Sequence, residues 1–168
     1  MNIENIKPRQ NQVLHMILNG HNINDIAAEL KVSRKTIEFH IYGFMREHDL
    51  HSLYELVEWA IENNFVKTPK IDIEKLKLTK QQIAVLKFTG EGLNTKEIAD
   101  VMQRAKPDDE KSNVSTKSVE YHRSKVMKKF GLKNMAQYIR LAFSVYDSVK
   151  NTSISDTDVK LNYHDLMP

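Results

Sequence analysis

Apolar positions along the chain fall at helical intervals. Ile37, Ile41, Phe44 and His48 follow one another at i, i+4, i+7 and i+11; Val119, Val126, Met127 and Phe130 mark a second inward stripe, and Leu53, Leu56, Val57 and Ile61 a third. The polar residues between them mark helix ends. Asn22 with Asp25, Ser52 with Glu55, Thr79 with Gln82, Asn94 with Glu97 and Asn134 with Gln137 each set a small polar side chain three residues ahead of one that can reach back. Such pairs satisfy the free amides at a helix start. Pro8 suits the first position of a helix, and Gly20 and Gly92 suit the left-handed residue that closes one. Together these signals predict, twice over, a helix of about a dozen residues, a tight turn, a helix of about eight, a longer one starting at Ser33 or Ser115, and a fourth.

The chain also repeats itself in letters. Shifting by 72 places Gln10 on Gln82, Val13 on Val85, Leu14 on Leu86, Gly20 on Gly92, Asn22 on Asn94, Ile26 on Ile98 and Ala27 on Ala99. A shift of 82 is needed further on, where VSRKTIEFHIYGFM meets VSTKSVEYHRSKVM and Ser33, Lys35, Glu38, His40 and Met45 fall on Ser115, Lys117, Glu120, His122 and Met127. The second copy therefore carries ten extra residues, in the turn-prone stretch QRAKPDDEKSN. The expected fold is all-α, with two tandem four-helix helix-turn-helix domains: 1–66 and 78–149, joined by a linker at 67–77. The second domain carries an inserted turn at 103–113, and a flexible tail occupies 150–168. Fully extended, the residues from Val66 to Lys77 reach about 40 Å.

Composition narrows the function. At 168 residues, 40% apolar and 28% charged, the chain has the make-up of a folded protein of one or two small domains. The absence of Cys removes disulfides, thiolate metal sites and cysteine nucleophiles. No run approaches the roughly 18 apolar residues of a membrane span, and the first twenty residues do not read as a secretion signal, so the expectation is a cytoplasmic protein, nucleoid-associated when bound to DNA. The net charge of +3 is unevenly placed: residues 1–66 sum to −3, 67–150 to +8 and 151–168 to −2. A polyanion would be drawn to the middle segment.

The third helix of each copy carries the candidate chemistry. Lys35, Glu38, Phe39 and Tyr42 lie off the inward stripe of the first, and Lys117, Glu120, Tyr121, Ser124, Lys125 and Lys128 off that of the second. An aromatic leaves the core face both times, at Phe39 and Tyr121, either to pack on a neighbouring helix or to form a readout surface. A helix fits the major groove, where Lys meets phosphate or guanine, Glu accepts from cytosine N4 and an aromatic edge lies against a thymine methyl.

The strings IKPRQNQVL, IAAELKVSRKTIEFH, LTKQQIAVL, NTKEIADVM and VSTKSVEYHRSKVMKKFGL resemble the LuxR-type (GerE-like) DNA-binding domain, over roughly residues 6–65 and 78–146. The resemblance implies that the third helix enters the major groove of double-stranded DNA. The residues expected at DNA are Arg34, Lys35, Thr36, Glu38, Phe39, His40 and Tyr42 in the first copy. In the second they are Thr116, Lys117, Ser118, Glu120, Tyr121, His122, Ser124, Lys125 and Lys128. Among these, Thr36, His40, Ser118 and His122 take the family's backbone-contacting positions. Glu38 and Glu120 stand where many members carry Lys, and Gln10 and Gln82 replace the family's starting Glu. The ten-residue insertion either lifts the third helix of copy two or adds a phosphate-binding arm through Arg104, Lys106 and Lys111.

The expected function is a transcriptional regulator, a repressor or autoregulator without its own sensor, binding a two-part promoter site. The rival class is a protein-binding regulator, an anti-activator or polymerase-interacting factor, for which Tyr54 and an exposed Trp59 would supply the surface. The fourth helices, around Tyr54, Trp59, Leu141, Val145 and Tyr146, are expected to pair within the chain or to form a homodimer, and a contact with RNA polymerase is the further partner this reading admits. No cofactor or metal is expected. The best metal constellation, His48 and His51, reads as an exposed helix end, and no catalytic motif is present.

Overall fold

The computed structural model describes residues 6–105 and 114–151. Among these the fold is all-helical: α1 Pro8–Leu18, α2 Ile23–Glu29, α3 Arg34–Glu47, α4 Leu53–Glu62, α5 Lys80–Gly90, α6 Thr95–Arg104, α7 Thr116–Phe130 and α8 Met135–Asn151. A 3-10 turn, Glu74–Leu76, precedes α5. None of these helices is long and apolar enough to cross a membrane.

Helix starts follow the sequence signals closely. Thr79 with Gln82 and Asn94 with Glu97 form complete reciprocal caps, as does Ser115 with Ser118. Elsewhere the returning side chain lands differently: the Glu55 carboxylate accepts from the amide of His51 at 2.8 Å, and Gln137 accepts from that of Lys133 at 2.8 Å. Each lies one residue before the cap. The Asp25 carboxylate takes the side-chain amide of Asn22 instead of its backbone.

Helix ends hold a surprise. Gly20 and Gly92 are left-handed, with φ of +100° and +88°, but so are Lys31, Asp49 and Asn64 at +53°, +55° and +56°. In all five cases the next residue's amide bonds back across the last turn, as from Val32 to Ala27, Leu50 to Met45 and Phe65 to Ala60. The residue after the left-handed one is apolar at Val32, Leu50, Phe65 and Leu93. Docking these side chains offsets the strain of φ > 0 in a residue with a Cβ.

The described residues divide into two compact units: the chain up to Thr68 together with Leu132–Arg140, and Pro69–Gly131 together with the stretch from Leu141. The first unit packs Val13, Leu14 and Leu18 of α1, Ile26 of α2, Ile37 and Phe44 of α3 and Leu56 and Val57 of α4, all essentially without exposure. It also takes the first turns of α8. Asn134 donates to the carbonyls of Ile17 at 2.8 Å and His21 at 3.1 Å, Gln137 to Asn19 at 3.0 Å, and Arg140 to Leu18 at 2.9 Å and Lys67 at 2.7 Å. These side chains add donors at the C-terminal end of α1, where the Ile17 carbonyl also accepts from the amide of Gly20 at 3.0 Å. Gly20 sits under Gln137 so closely that a Cβ would collide with its amide.

The second unit is built on Ala84, Val85, Phe88, Ile98, Ala99, Met102 and Val119. Gly90 allows α5 to approach α8, where an added Cβ would lie 2.6 Å from the carbonyl of Ala142 and 2.7 Å from the Cβ of Tyr146. Within residues 67–77, Ser148 donates to the carbonyl of Ile71 at 3.0 Å, and Lys129 donates to that of Lys77. Most of the inserted turn and the tail beyond Asn151 lie outside the described residues, Lys106 and Lys111 among them; Arg104 ends α6, and the amide of Val114 donates to Gln103 at 2.6 Å.

Candidate nucleic-acid interface

Two helices present unusual surfaces. Ser33 starts α3 by accepting from the amide of Thr36 at 3.1 Å, and the hydroxyls of the two residues lie 2.8 Å apart. Ile37, Ile41 and Phe44 then face the core, and His48 stacks on Phe44 with ring centres 4.2 Å apart. That orientation forces Lys35, Phe39 and Tyr42 outward, at i, i+4 and i+7. Phe39 is 69% exposed and Tyr42 65%. With Lys35, Glu38, Gly43 and Arg46 they line a shallow groove of about 530 Å³ along the helix. Gly43 and Arg46 had no place in the sequence reading, although the helical period from Lys35 points to Arg46 directly.

The charge along α3 is partly tied up. Arg34 Nε donates to Glu38 Oε1 at 2.8 Å, a pair one helical turn apart that holds the guanidinium above its ordinary range. His40 is half-buried, its ring edge-on to Phe39. The orientation of α3 is set from α1: Lys7 reaches Glu47 at 2.5 Å and the buried Gln10 donates to the same carboxylate at 3.3 Å. These hydrogen bonds, Lys7's first, pull Glu47 below the usual carboxylate range. Gln10, which the sequence marks as a repeat match to Gln82 and a departure from a family's Glu, thus positions the candidate helix.

The second surface is α7. Val119 and Val126 are fully buried. Thr116, Lys117, Glu120, Tyr121, Ser124, Lys125 and Lys128 are all exposed, Tyr121 at 58%. Lys125 extends its ammonium over the Tyr121 ring, 5.2 Å from the centre, which keeps cation and aromatic together on one face. Ser118 is drawn into the helix cap, and His122 is half-buried, so burial lowers its pKa. Arg123 anchors the helix by donating to Thr95 at 3.3 Å. All sixteen residues expected at DNA therefore fall on α3 or α7; the two His, Thr36 and Ser118 sit at the edges of the exposed stripes. Packing of Phe39 and Tyr121 on a neighbouring helix is excluded by their exposure.

Other candidate surfaces close up. Trp59, whose exposure the protein-binding reading would need, retains 9% of its surface: its ring meets Phe44 edge-on at 4.9 Å, with His48 at 5.1 Å and Phe65 at 6.1 Å. Helical spacing set it beside the inward stripe, but the chain turns at Asn64 and brings Phe65 back over it. Leu141 and Val145 are also buried, while Tyr54 and Tyr146, the other two residues expected around a pairing of fourth helices, are half-buried. His51 contacts Asp49 at 3.2 Å while His48 is held among aromatic rings, and no group of three or more metal-ligating side chains forms among the described residues.

Comparison with known proteins points the same way. Two curated relatives match part of the chain: the uncharacterized response regulatory protein YgeK of Escherichia coli (strain K12) is 38% identical over 53 residues, 32% of this chain and 36% of that protein. The oxygen regulatory protein NreC of Staphylococcus haemolyticus (strain JCSC1435) is 38% identical over 61 residues, 36% of this chain and 28% of that protein. The chain thus spans about a third of the length of these relatives. No solved structure matches it at a comparable level. The family model for bacterial regulatory proteins of the luxR family matches residues 5–60, which include all of α1 to α3 and most of α4, and residues 109–142, which include α7 and the start of α8. With more than half its residues matched, including both helices that present the exposed aromatic stripes, the chain belongs to the luxR family of bacterial regulatory proteins.

Proposed function

We propose that the protein is a sequence-specific regulator of transcription that binds double-stranded DNA through α3 and α7, as two tandem LuxR-type domains in one chain. One observation carries this reading. The large apolar side chains exposed among the described residues, Phe39, Tyr42 and Tyr121, all stand on these two helices and share their faces with exposed lysines. An aromatic beside a cation on a convex helix suits a groove that offers thymine methyls, base edges and phosphates together. Family membership and the regulatory names of the relatives support it. The sixteen positions named above are the proposed contacts, with Arg46 added at the end of the α3 groove.

The regulator acts in the cytoplasm, on the nucleoid, as a repressor or autoregulator, because a compact binder blocks polymerase by occupying a promoter. Footprinting on the DNA upstream of its own gene, with affinity measured over a range of salt, tests the reading. A protected two-part site whose affinity falls steeply with salt supports it; a chain that leaves every duplex unprotected at low salt refutes it. One observation favours a second reading: residues 1–66 are net acidic and the Arg34–Glu38 pair spends a cation internally, so the α3 face suits a protein partner better than the α7 face does. On that reading α3 would bind its partner with little dependence on salt, and α7 alone would bind DNA.

A further inference from the structure

A cleft of about 640 Å³ opens within the first unit, alongside α3. Its floor is apolar, made by Ile17, Ile41, Met45, Leu53 and Met135. Its rim carries Arg34, Glu38 and Tyr42 of α3, with His21 and His51 opposite. The volume lies in the range of small-molecule sites, and the combination of an apolar floor with a few convergent polar groups is what such sites share.

The charges decide what kind of molecule fits. Glu38 is the sole acid among the lining residues, and it is already paired with Arg34 through Nε. Arg34 lines the cleft, and its two terminal nitrogens make no hydrogen bond among the described residues; a carboxylate meets such a pair with two parallel hydrogen bonds. His21 and His51 add imidazoles, each near an acid outside the lining, Glu29 at 4.0 Å and Asp49 at 3.2 Å. Ser52–Leu53 and Asn134–Met135, at the starts of α4 and α8, also border the cleft, and helix starts favour negative charge nearby.

We propose that this cleft is an effector site for a small amphipathic carboxylate, its apolar body on the Ile17–Met45–Leu53–Met135 floor and its anionic end on Arg34. Binding there opposes DNA. Arg34, Glu38 and Tyr42 belong to both the cleft and the α3 face, so a ligand carboxylate on the terminal nitrogens adds a second negative charge beside Glu38, shares the one cation that balances it and repels phosphate there. This consequence rests on the DNA reading, whereas the ligand site itself does not.

The test uses the full chain with ¹³C-labelled methionine methyls, titrated with decanoate below its micellar range and, separately, with 1-decanol. Saturable shifts of Met45 and Met135, with decanoate at least tenfold tighter than decanol, are expected. Arg34→Ala should weaken decanoate about tenfold and leave decanol unchanged. Met135→Trp, or Leu53→Trp should the first variant not fold, fills the cleft and should abolish the shifts. Absence of saturable shifts, equal affinity for the two probes, or equal shifts at Met16 and Met127 would overturn the proposal. Decanoate should then weaken DNA binding by the unsubstituted chain and not by Met135→Trp. Loss of the methyl response with DNA binding intact refutes the cleft alone, and a methyl response in a chain that binds no DNA refutes the functional reading alone.

Discussion

The two candidate helices start alike and end differently. Ser33 and Ser115 cap them, and Phe39 and Tyr121 stand at the same distance from the cap. Glu38 and Glu120 also correspond, but Arg34, which neutralises the first, is replaced by Thr116 beside the second. No ion pair reaches Glu120 from the described residues. Further along, Gly43 corresponds to Lys125 and Tyr42 to Ser124, so α3 offers an aromatic groove and α7 a cationic stripe around one unpaired acid. The caps and the core stripe are alike and the electrostatics differ: folding requires the former in both helices, while the outward positions are free to differ.

The comparison presupposes that α3 is held as firmly as α7, and its support is the aromatic cluster beneath it. Trp59→Ala empties that cluster and should cost about 3–5 kcal/mol of stability, read as a lower midpoint in chemical denaturation. A loss under about 1 kcal/mol would mean that Phe44 and Phe65 collapse to fill the space. The next effect is electrostatic. Reversing Lys125 and Lys128 to Glu should weaken binding to every duplex by about a hundredfold and lower the slope of log affinity against log salt by about two, measured by fluorescence anisotropy. Lys35→Glu should cost less. Were it the larger loss, the cationic role would belong to α3 instead.

The paired and unpaired acids make a finer test. Glu120→Gln should change preference at one base pair by about 1–3 kcal/mol in selection from randomised sites. Glu38→Gln releases Arg34 and should raise affinity on all sequences with little change in preference. If Glu120→Gln did only that, Glu120 would be a repelled surface acid and no reader.

Acid should separate the two units by the smallest margin. His122, in the second, is depressed by burial, so the unfolded chain protonates there first; its contribution is complete above the ordinary imidazole range and is lost as pH falls through that range toward its lowered value. In the first unit Glu47 is depressed by Lys7 and Gln10, and Glu55 chiefly by the His51 amide. Their contributions are full above the carboxylate range and decline only as pH falls through it. Residue-specific amide signals followed in urea between about pH 8 and pH 4 should therefore show α7 softening before α3. His122→Gln should remove the difference.

Much of this was legible in the sequence because it depends on neighbours within one helical turn. Thr79 with Gln82, Asn94 with Glu97, and the stripe from Ile37 to His48 are local facts, and so is the outward direction of Phe39 and Tyr121 once that stripe is assigned. Less legible were Lys31, Asp49 and Asn64, whose left-handed conformations depend on an apolar residue finding a place to dock. Trp59 misled: periodicity placed it at the edge of the inward face, and Phe65, beyond the helix, decided that it is covered.

The sequence by itself determined the helices, their ends, the recurrence of the third helix and the uneven charge, since each follows from side-chain type at fixed spacing. Only the tertiary structure decided that residues 132–140 close the first unit, that Gln10 and Lys7 hold Glu47, that Glu38 is paired and Glu120 is not, and that a cleft opens beside α3. Asn134 meets Ile17 across 117 positions of chain. A contact of that separation leaves no periodic trace, because it depends on which carbonyls packing brings within reach of Asn134 and not on the residues adjoining them.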